Sequence, residues 1–195
     1  MRLLVMADDA RTNLAPAEVR AEVLISCGDI SDEEIMTAAG RHRCERIFAV
    51  KGNHDGSGAF QRGISDLHLR IESYGGLTFG GFNGCFKYKP RGNYLYDQFS
   101  VEEKLKDFPR VDVFVAHNSP RGVHERDDEV HVGFDAFSNY IRRARPLYLV
   151  HGHQHVNECT QIGGTFIVGT FGYRIIELST NTLTPSLALR GKLPD

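Results

Sequence analysis

Five short apolar runs in this chain stop abruptly at clusters of Asp, Asn, His and Gly, and that repeated punctuation constrains the fold more than any residue propensity. Leu3 to Ala7 ends at Asp8. Val23 to Cys27 ends at Gly28 and Asp29, and Ile47 to Lys51 ends at Gly52, Asn53, His54 and Asp55. Val111 to Ala116 ends at His117 and Asn118, while Leu147 to Val150 ends at His151, Gly152, His153, Gln154 and His155. Continuous apolar strands suit a sheet covered on both faces, and open α/β sheets gather ligands beyond the carboxyl ends of their strands. Function is therefore expected where these strands end.

Between the runs lie three expected helices. Asp32 to Arg41 follows the capping candidate Ser31, Val101 to Asp107 follows Ser100, and Phe134 to Arg145 stops before Pro146. The alternation predicts βαβ units. Two stretches break it, Leu67 to Phe82 and Val156 to Leu178, where short β-rich runs meet at Gly75-Gly76 and Gly163-Gly164 and read as hairpins. The fold class is thus α/β with mixed sheets. The 195 residues, 41% hydrophobic and 25% charged, fit one compact domain over residues 1–195, with no repeat or linker. Loops at Lys87 to Tyr94 and Arg121 to Gly133 are long and polar, as substrate-contacting loops often are.

Charge and cysteine usage exclude several classes. With 23 basic and 25 acidic residues and a formal charge of -2, nothing points to a long nucleic acid as partner. Cys27, Cys44, Cys85 and Cys159 are too widely spaced for a zinc knuckle or a redox pair and are expected reduced and mostly buried. The apolar start is cut off by Asp8 and Asp9 too early for a signal peptide, and no run reaches transmembrane length. A cytoplasmic, soluble protein is expected.

Asp8, Asp29, Asn53, His117, His153 and His155 together offer carboxylate, amide and imidazole donors, a mixture that suits manganese, iron, zinc or cobalt without choosing among them. Hydrolysis of a phosphate ester needs a nucleophilic hydroxide at neutral pH and positive charge around the phosphoryl oxygens. A pair of ions about 3.5–4 Å apart supplies both. Taken singly, Asp8 reads as a loop acid and Gly28-Asp29 as a turn. Their order is what carries weight, with His153 and His155 on one face by the period of two.

In that order, Asp8, Gly28-Asp29, Gly52-Asn53-His54-Asp55, His117 and Gly152-His153-Gln154-His155 resemble the motifs of calcineurin-like metallophosphoesterases over nearly the whole chain. The resemblance implies a four-layer α-β-β-α sandwich of two mixed β-sheets flanked by helices. It implies a metal-dependent phosphoesterase in which a metal-bound hydroxide attacks a small phosphate ester, diesters being favoured over monoesters. It also implies two divalent ions, manganese first, with iron, zinc, cobalt or nickel admitted. Asp29 would bridge them, Asp8 and His155 would hold the first, and Asn53, His117 and His153 the second. His54 would protonate the leaving oxygen or stabilise its charge, and Asp55 would orient the His54 imidazole.

One position departs from the family pattern. A His normally stands two residues after the first Asp, and here Ala10 stands there, so the first ion lacks a ligand and is expected to be weak or absent. Three readings stay open: a dinuclear enzyme with one labile ion, a mononuclear enzyme, or a binding module that kept the fold and lost its chemistry. A finer resemblance, at Phe86 to Tyr96, Ala116 to Pro120, His131 to Phe134, His151 to His155 and Phe171 to Arg174, is to small bacterial phosphoesterases that also lack this His. Arg11, Arg121 and His131 are candidate substrate contacts, while His124 and His151 read first as ordinary surface and structural histidines. A metallo-β-lactamase-type zinc hydrolase also carries His-x-His after a strand, but Val156 and Asn157 stand where its Asp-His continuation would be.

Overall fold

The computed structural model describes residues 1–9 and 19–178, so the expectations attached to Ala10 and Arg11 lie outside the described residues. In the first sheet β1 (Arg2–Ala7), β2 (Val23–Ser26), β3 (Arg46–Ala49) and the two-residue β4 (Ser65–Asp66) run parallel. β13 (Gly172–Glu177) pairs antiparallel with the outer edge of β1. The second sheet has the order β11-β12-β10-β9-β6-β5, formed by Cys159–Ile162, Thr165–Gly169, Tyr148–His151, Val113–Ala116, Leu77–Phe82 and Ile71–Tyr74. Its four inner strands are parallel and both edges antiparallel. A small parallel pair, β7 (Cys85–Phe86) and β8 (Leu95–Tyr96), lies apart. Both large sheets are mixed, as expected.

Alternation along each strand builds the layers. Leu3, Val5, Val23, Ile25 and Phe48 of the first sheet pack with Phe79, Val113, Val115, Tyr148, Val150 and Val168 of the second. The intervening residues Leu4, Met6, Leu24 and Ile47 turn the other way, onto Ile35, Ala38 and Ala39 of α1 (Asp32–His42). Phe114, Leu149 and Ile167 pack against α2 (Gln98–Leu105) and α3 (Asp135–Ala144) through Val101, Leu105, Phe137, Tyr140 and Ile141. Each sheet is buried on both faces, which is why its strands read as unbroken apolar runs. The result is the four-layer α-β-β-α sandwich.

Local chemistry sets the boundaries. α1 has a full capping box between Ser31 and Glu34. Gly75-Gly76 and Gly163-Gly164 all have positive φ, as two-residue hairpin turns require. α2 begins three residues before the expected Val101: Asp97, not Ser100, is the N-cap, and its Oδ1 accepts the Ser100 N–H at 2.7 Å. A carboxylate facing the positive end of the helix outcompetes the hydroxyl. The stretch Val156 to Leu178 is a hairpin only as far as β12, and its last strand crosses to the other sheet. All four cysteines are free, with Cys27 and Cys85 buried. Among the described residues no helix is long and apolar enough to cross a membrane.

Candidate metal centre

The carboxyl ends of β1 and β2 meet those of β9 and β10 across the sandwich. His117, directly after β9, is fully buried, and its Nδ1 lies 2.8 Å from the Cys27 carbonyl at the end of β2. A carbonyl only accepts, so Nδ1 carries the proton. Burial pulls the His117 pKa down to about 4, keeping the ring neutral with a single N–H. Nε2 is therefore a bare lone pair. It faces Asn53 Oδ1 at 3.0 Å and Asp29 Oδ2 at 3.5 Å, while Asn53 turns its Nδ2 to the Tyr88 hydroxyl at 3.4 Å. Three acceptors converge with no donor between them.

Asp8 adds a fourth. Its Oδ2 accepts the His153 backbone N–H at 2.9 Å, but its Oδ1 is buried and accepts no hydrogen bond. One ligand atom each from Asp8, Asp29 and His117 lies within 4.8 Å of the others. Burial, then the Asp29 charge, push the Asp8 carboxyl well above the usual carboxylate range, and burial raises Asp29 too. His153 donates through Nε2 to the Val130 carbonyl at 3.2 Å, leaving Nδ1 bare, with its ring centre 4.9 Å from that of His117. Its burial, and after it the neighbouring His117, lower its pKa to about 2. His155 Nε2 approaches Asp8 Oδ1 at 3.8 Å, and its ring lies on Phe171. His155 is exposed at the edge of the cluster, and the buried carboxylate oxygens and neutral imidazoles within it fit a divalent cation in donor chemistry and in charge.

The backbone is bent to make this cluster. Asp8, Asp29, His153 and His155 all have positive φ, of 62°, 57°, 62° and 52°. This left-handed turn at a strand end is disfavoured for a residue with a Cβ and is typical of functional sites. Close approach excludes side chains at two neighbouring positions. A Cβ on Gly52 would stand 2.1 Å from Asp29 Oδ1, and one on Gly152 would stand 2.7 Å from Asp8 Oδ2.

The remaining expected residues are placed unequally. His54 is exposed, and its backbone N–H donates to Asp29 Oδ1 at 2.8 Å. Asp55 is expected to orient the His54 imidazole, and its observed partners are backbone amides. Its Oδ2 accepts the backbone N–H groups of Gly52 at 2.7 Å and Asp29 at 2.9 Å, because those amides sit at the turn and need an acceptor. Asp29, His54 and Asp55 line a cavity of about 430 Å³ with Lys51, Ser31 and Gly56. Arg121 is an exposed partner of Glu125 at 3.7 Å, the ordinary surface ion pair. His131 comes into the cluster, its ring 4.9 Å from His153 and 5.9 Å from His155. His151 is buried and bonded to His124 at 2.9 Å, in keeping with its structural reading, whereas His124, which also reaches Thr160, is not the simple surface group the sequence suggests.

Sequence reasoning missed Tyr88 and Asp128, which contact Asn53 and His131. Tyr88 lies in a loop marked only for polarity. The Asp-x-x-His spacing of 128 and 131 was a usable signal.

Carboxylate and imidazole donors at the joined strand ends of two facing sheets define an α/β protein of the metal-dependent hydrolase class. Residues 1–170 match the family model described as calcineurin-like phosphoesterase superfamily domain, and the chain belongs to that superfamily. Membership makes it a metal-dependent phosphoesterase, a hydrolase of phosphate esters using divalent ions. Comparison with curated proteins returned no match. Among solved structures, TT1561 of Thermus thermophilus superposes with a TM-score of 0.60 at 14% identity, covering 90% of this chain and 93% of that one. Vps29 of Entamoeba histolytica complexed with zinc gives 0.54 at 13% identity, covering 93% and 88%. Phosphopantetheinyl hydrolase (PptH) of Mycobacterium tuberculosis gives 0.54 at 14%, covering 87% and 89%. At such identities the likeness is one of fold.

Proposed function

We propose that this chain is a cytoplasmic phosphodiesterase that cleaves a small phosphate ester with two divalent ions, manganese first among them. Asp8, Asp29 and His155 would hold one ion, and Asp29, Asn53, His117 and His153 the other. The observation that carries the reading is the bare His117 Nε2 facing Asn53 Oδ1 and Asp29 Oδ2, a set of acceptors whose lone pairs suit a cation. When bound, such ions supply a nucleophile at neutral pH and positive charge beside the phosphoryl oxygens.

The chain's own residues do the rest. The Cys27 and Val130 carbonyls fix the tautomers of His117 and His153, so each ring presents one defined nitrogen. Asp55 ties the Gly52 and Asp29 amides together and so fixes the turn from which Asp29 projects. His54 stands exposed at the cavity, where its ring protonates the departing oxygen or steadies the charge on it. The cavity of about 430 Å³ that Asp29 and His54 help to line has room for a small ester. The zinc complex of Vps29 on the same fold makes zinc the second ion to try.

The test is turnover of bis-p-nitrophenyl phosphate and p-nitrophenyl phosphate with manganese and with EDTA. Manganese-dependent cleavage, faster on the diester, is expected, and His54→Ala should lower kcat by about 10²–10⁴ with metal content unchanged. Protein that binds no metal and cleaves neither ester ends the enzymatic reading. Faster monoester cleavage ends the diesterase part alone.

A further inference from the structure

We propose that His131 is an imidazole ligand of the ion held by Asp8, Asp29 and His155, occupying the coordination place that Ala10 leaves without a donor, with Asp128 as the residue that positions it. This rests on the two-ion reading above. On that reading one ion already has four protein ligands, Asp29, Asn53, His117 and His153, whereas the other has only Asp8, Asp29 and His155. An added nitrogen is needed on one side only, and it is the side beside His155.

His131 is built like the other nitrogen donors of the centre. Its Nδ1 lies 2.7 and 2.8 Å from the two oxygens of Asp128, which as acceptors assign a proton to Nδ1 and make Nε2 the nitrogen that could meet a cation. A carboxylate behind an imidazole fixes its tautomer and raises the basicity of the free nitrogen, the usual support of a metal-binding His. Asp128 is itself held, because its Oδ1 also accepts the backbone N–H groups of Val130 and His131, both at 2.9 Å.

The loop is fastened to the centre by three successive carbonyls. Val130 O accepts from His153 Nε2 at 3.2 Å, His131 O from Gln154 Nε2 at 2.8 Å, and Val132 O from Asn118 Nδ2 at 2.8 Å. These donors belong to the segments that follow β9 and β10, so the position of His131 is tied to that of the ligands. Two imidazoles at right angles on one ion, with nitrogen about 2.1 Å from it, have ring centres about 4.5 Å apart. His131 lies 4.9 Å from His153 and 5.9 Å from His155, so it stands among the imidazoles of the centre, and joining His155 on one ion asks the latter distance to shorten by about 1.4 Å.

The experiment uses the full chain loaded with manganese and compares wild type, His131→Ala, His131→Gln and Asp128→Asn. Metal is counted by elemental analysis, affinity is measured by titration calorimetry, and nitrogen coupling to manganese is read by pulsed electron paramagnetic resonance on protein with ¹⁵N-labelled histidine. Loss or at least tenfold weakening of one ion in both His131 variants, with one fewer coupled nitrogen, is expected. Asp128→Asn should weaken the same ion about tenfold and keep the nitrogen. Near-ultraviolet circular dichroism identifies any misfolded variant, and the Gln variant, which keeps the volume, then carries the comparison. Two ions bound with unchanged affinity and unchanged nitrogen count in the His131 variants overturn the proposal, and a raised KM with those values unchanged overturns it in favour of a substrate contact. Wild type that binds no manganese at all refutes the underlying metal-centre reading instead.

Discussion

Replacing Asp8 with Asn should make the metal-free protein more stable and the metal-loaded protein less so. Asp8 and Asp29 present oxygens within 4.8 Å in a buried site, and two full charges at that distance repel by about 3–4 kcal/mol at an effective dielectric constant of about 20. Partial protonation of Asp8 relieves part of this, so we expect Asp8→Asn to gain about 1–2 kcal/mol in EDTA, or roughly 2–8 °C in Tm for a chain of this size. Asn keeps an oxygen for the His153 N–H, offers an amide to Asp29, and tolerates the positive φ at this position. At manganese about a thousandfold above its Kd the wild type gains about 4 kcal/mol. A variant weakened on the order of a hundredfold gains only about 1.4 kcal/mol, and the ranking reverses. The sign with pH follows from linkage. The native carboxyl is raised above its ordinary 3.8, so the native state holds protons that the unfolded chain has released, and the wild type loses stability as pH rises above that value. The advantage of the variant should therefore vanish near pH 3.8 and grow above it. Thermal melts in EDTA across that range test this, and a variant that melts below the wild type throughout would refute the crowding of the carboxylates.

The buried imidazoles give the opposite slope. His151 is pulled by burial from 6.5 to about 3, so below pH 6.5 the unfolded chain takes up a proton that the native ring refuses, and stability falls with acid. His151→Gln should remove about 1.5–2 kcal/mol of the fall in unfolding free energy between pH 6.5 and 5, read from urea titrations, and an unchanged slope would place the proton elsewhere. Gly52→Ala forces a Cβ onto Asp29 Oδ1, so calorimetry should show manganese affinity reduced at least tenfold, with a stability loss of about 1–3 kcal/mol. Asp55→Ala leaves the Gly52 and Asp29 amides without their acceptor, so it should lower both Tm and metal affinity. A variant that lost only kcat would restore Asp55 to the His54 imidazole.

How much of this was legible in the sequence divides along the range of the interactions. Strand runs that end in ligand-type residues were visible because both faces of each sheet are buried, and the four-layer fold was implied by the family resemblance that the motif order carries. The ends of α2 and the crossing of β13 were not. Asp97 and Ser100 are both good capping residues, and only the observed hydrogen bond tells which one starts the helix. β13 pairs with β1 from the far end of the chain, a choice that no local pattern records. Asp55 shows the same limit, since an Asn-His-Asp run identifies a carboxylate but not whether it bonds a ring or two amides. His124 and His151 looked like separate residues and are one hydrogen-bonded pair.

What the sequence withheld most completely is the backbone conformation that makes the centre. Asp8, Asp29, His153 and His155 each turn left-handed at the end of a strand, and a residue with a Cβ costs about 1–2 kcal/mol there relative to the right-handed form. Glycine would remove that cost at every one of the four positions, yet glycine has no donor atom. The neighbouring Gly28 and Gly152 mark the same turns from the permissive side, since chain atoms at Gly52 and Asp8 leave no room for a Cβ at either. Strain in the backbone, carboxylates pressed together and imidazoles stripped of water all raise the energy of the metal-free centre. A cation held by the lone pairs that now face one another would offset the electrostatic part of that cost. The sandwich, buried on both faces of both sheets, is what holds four unfavourable turns in register until that happens.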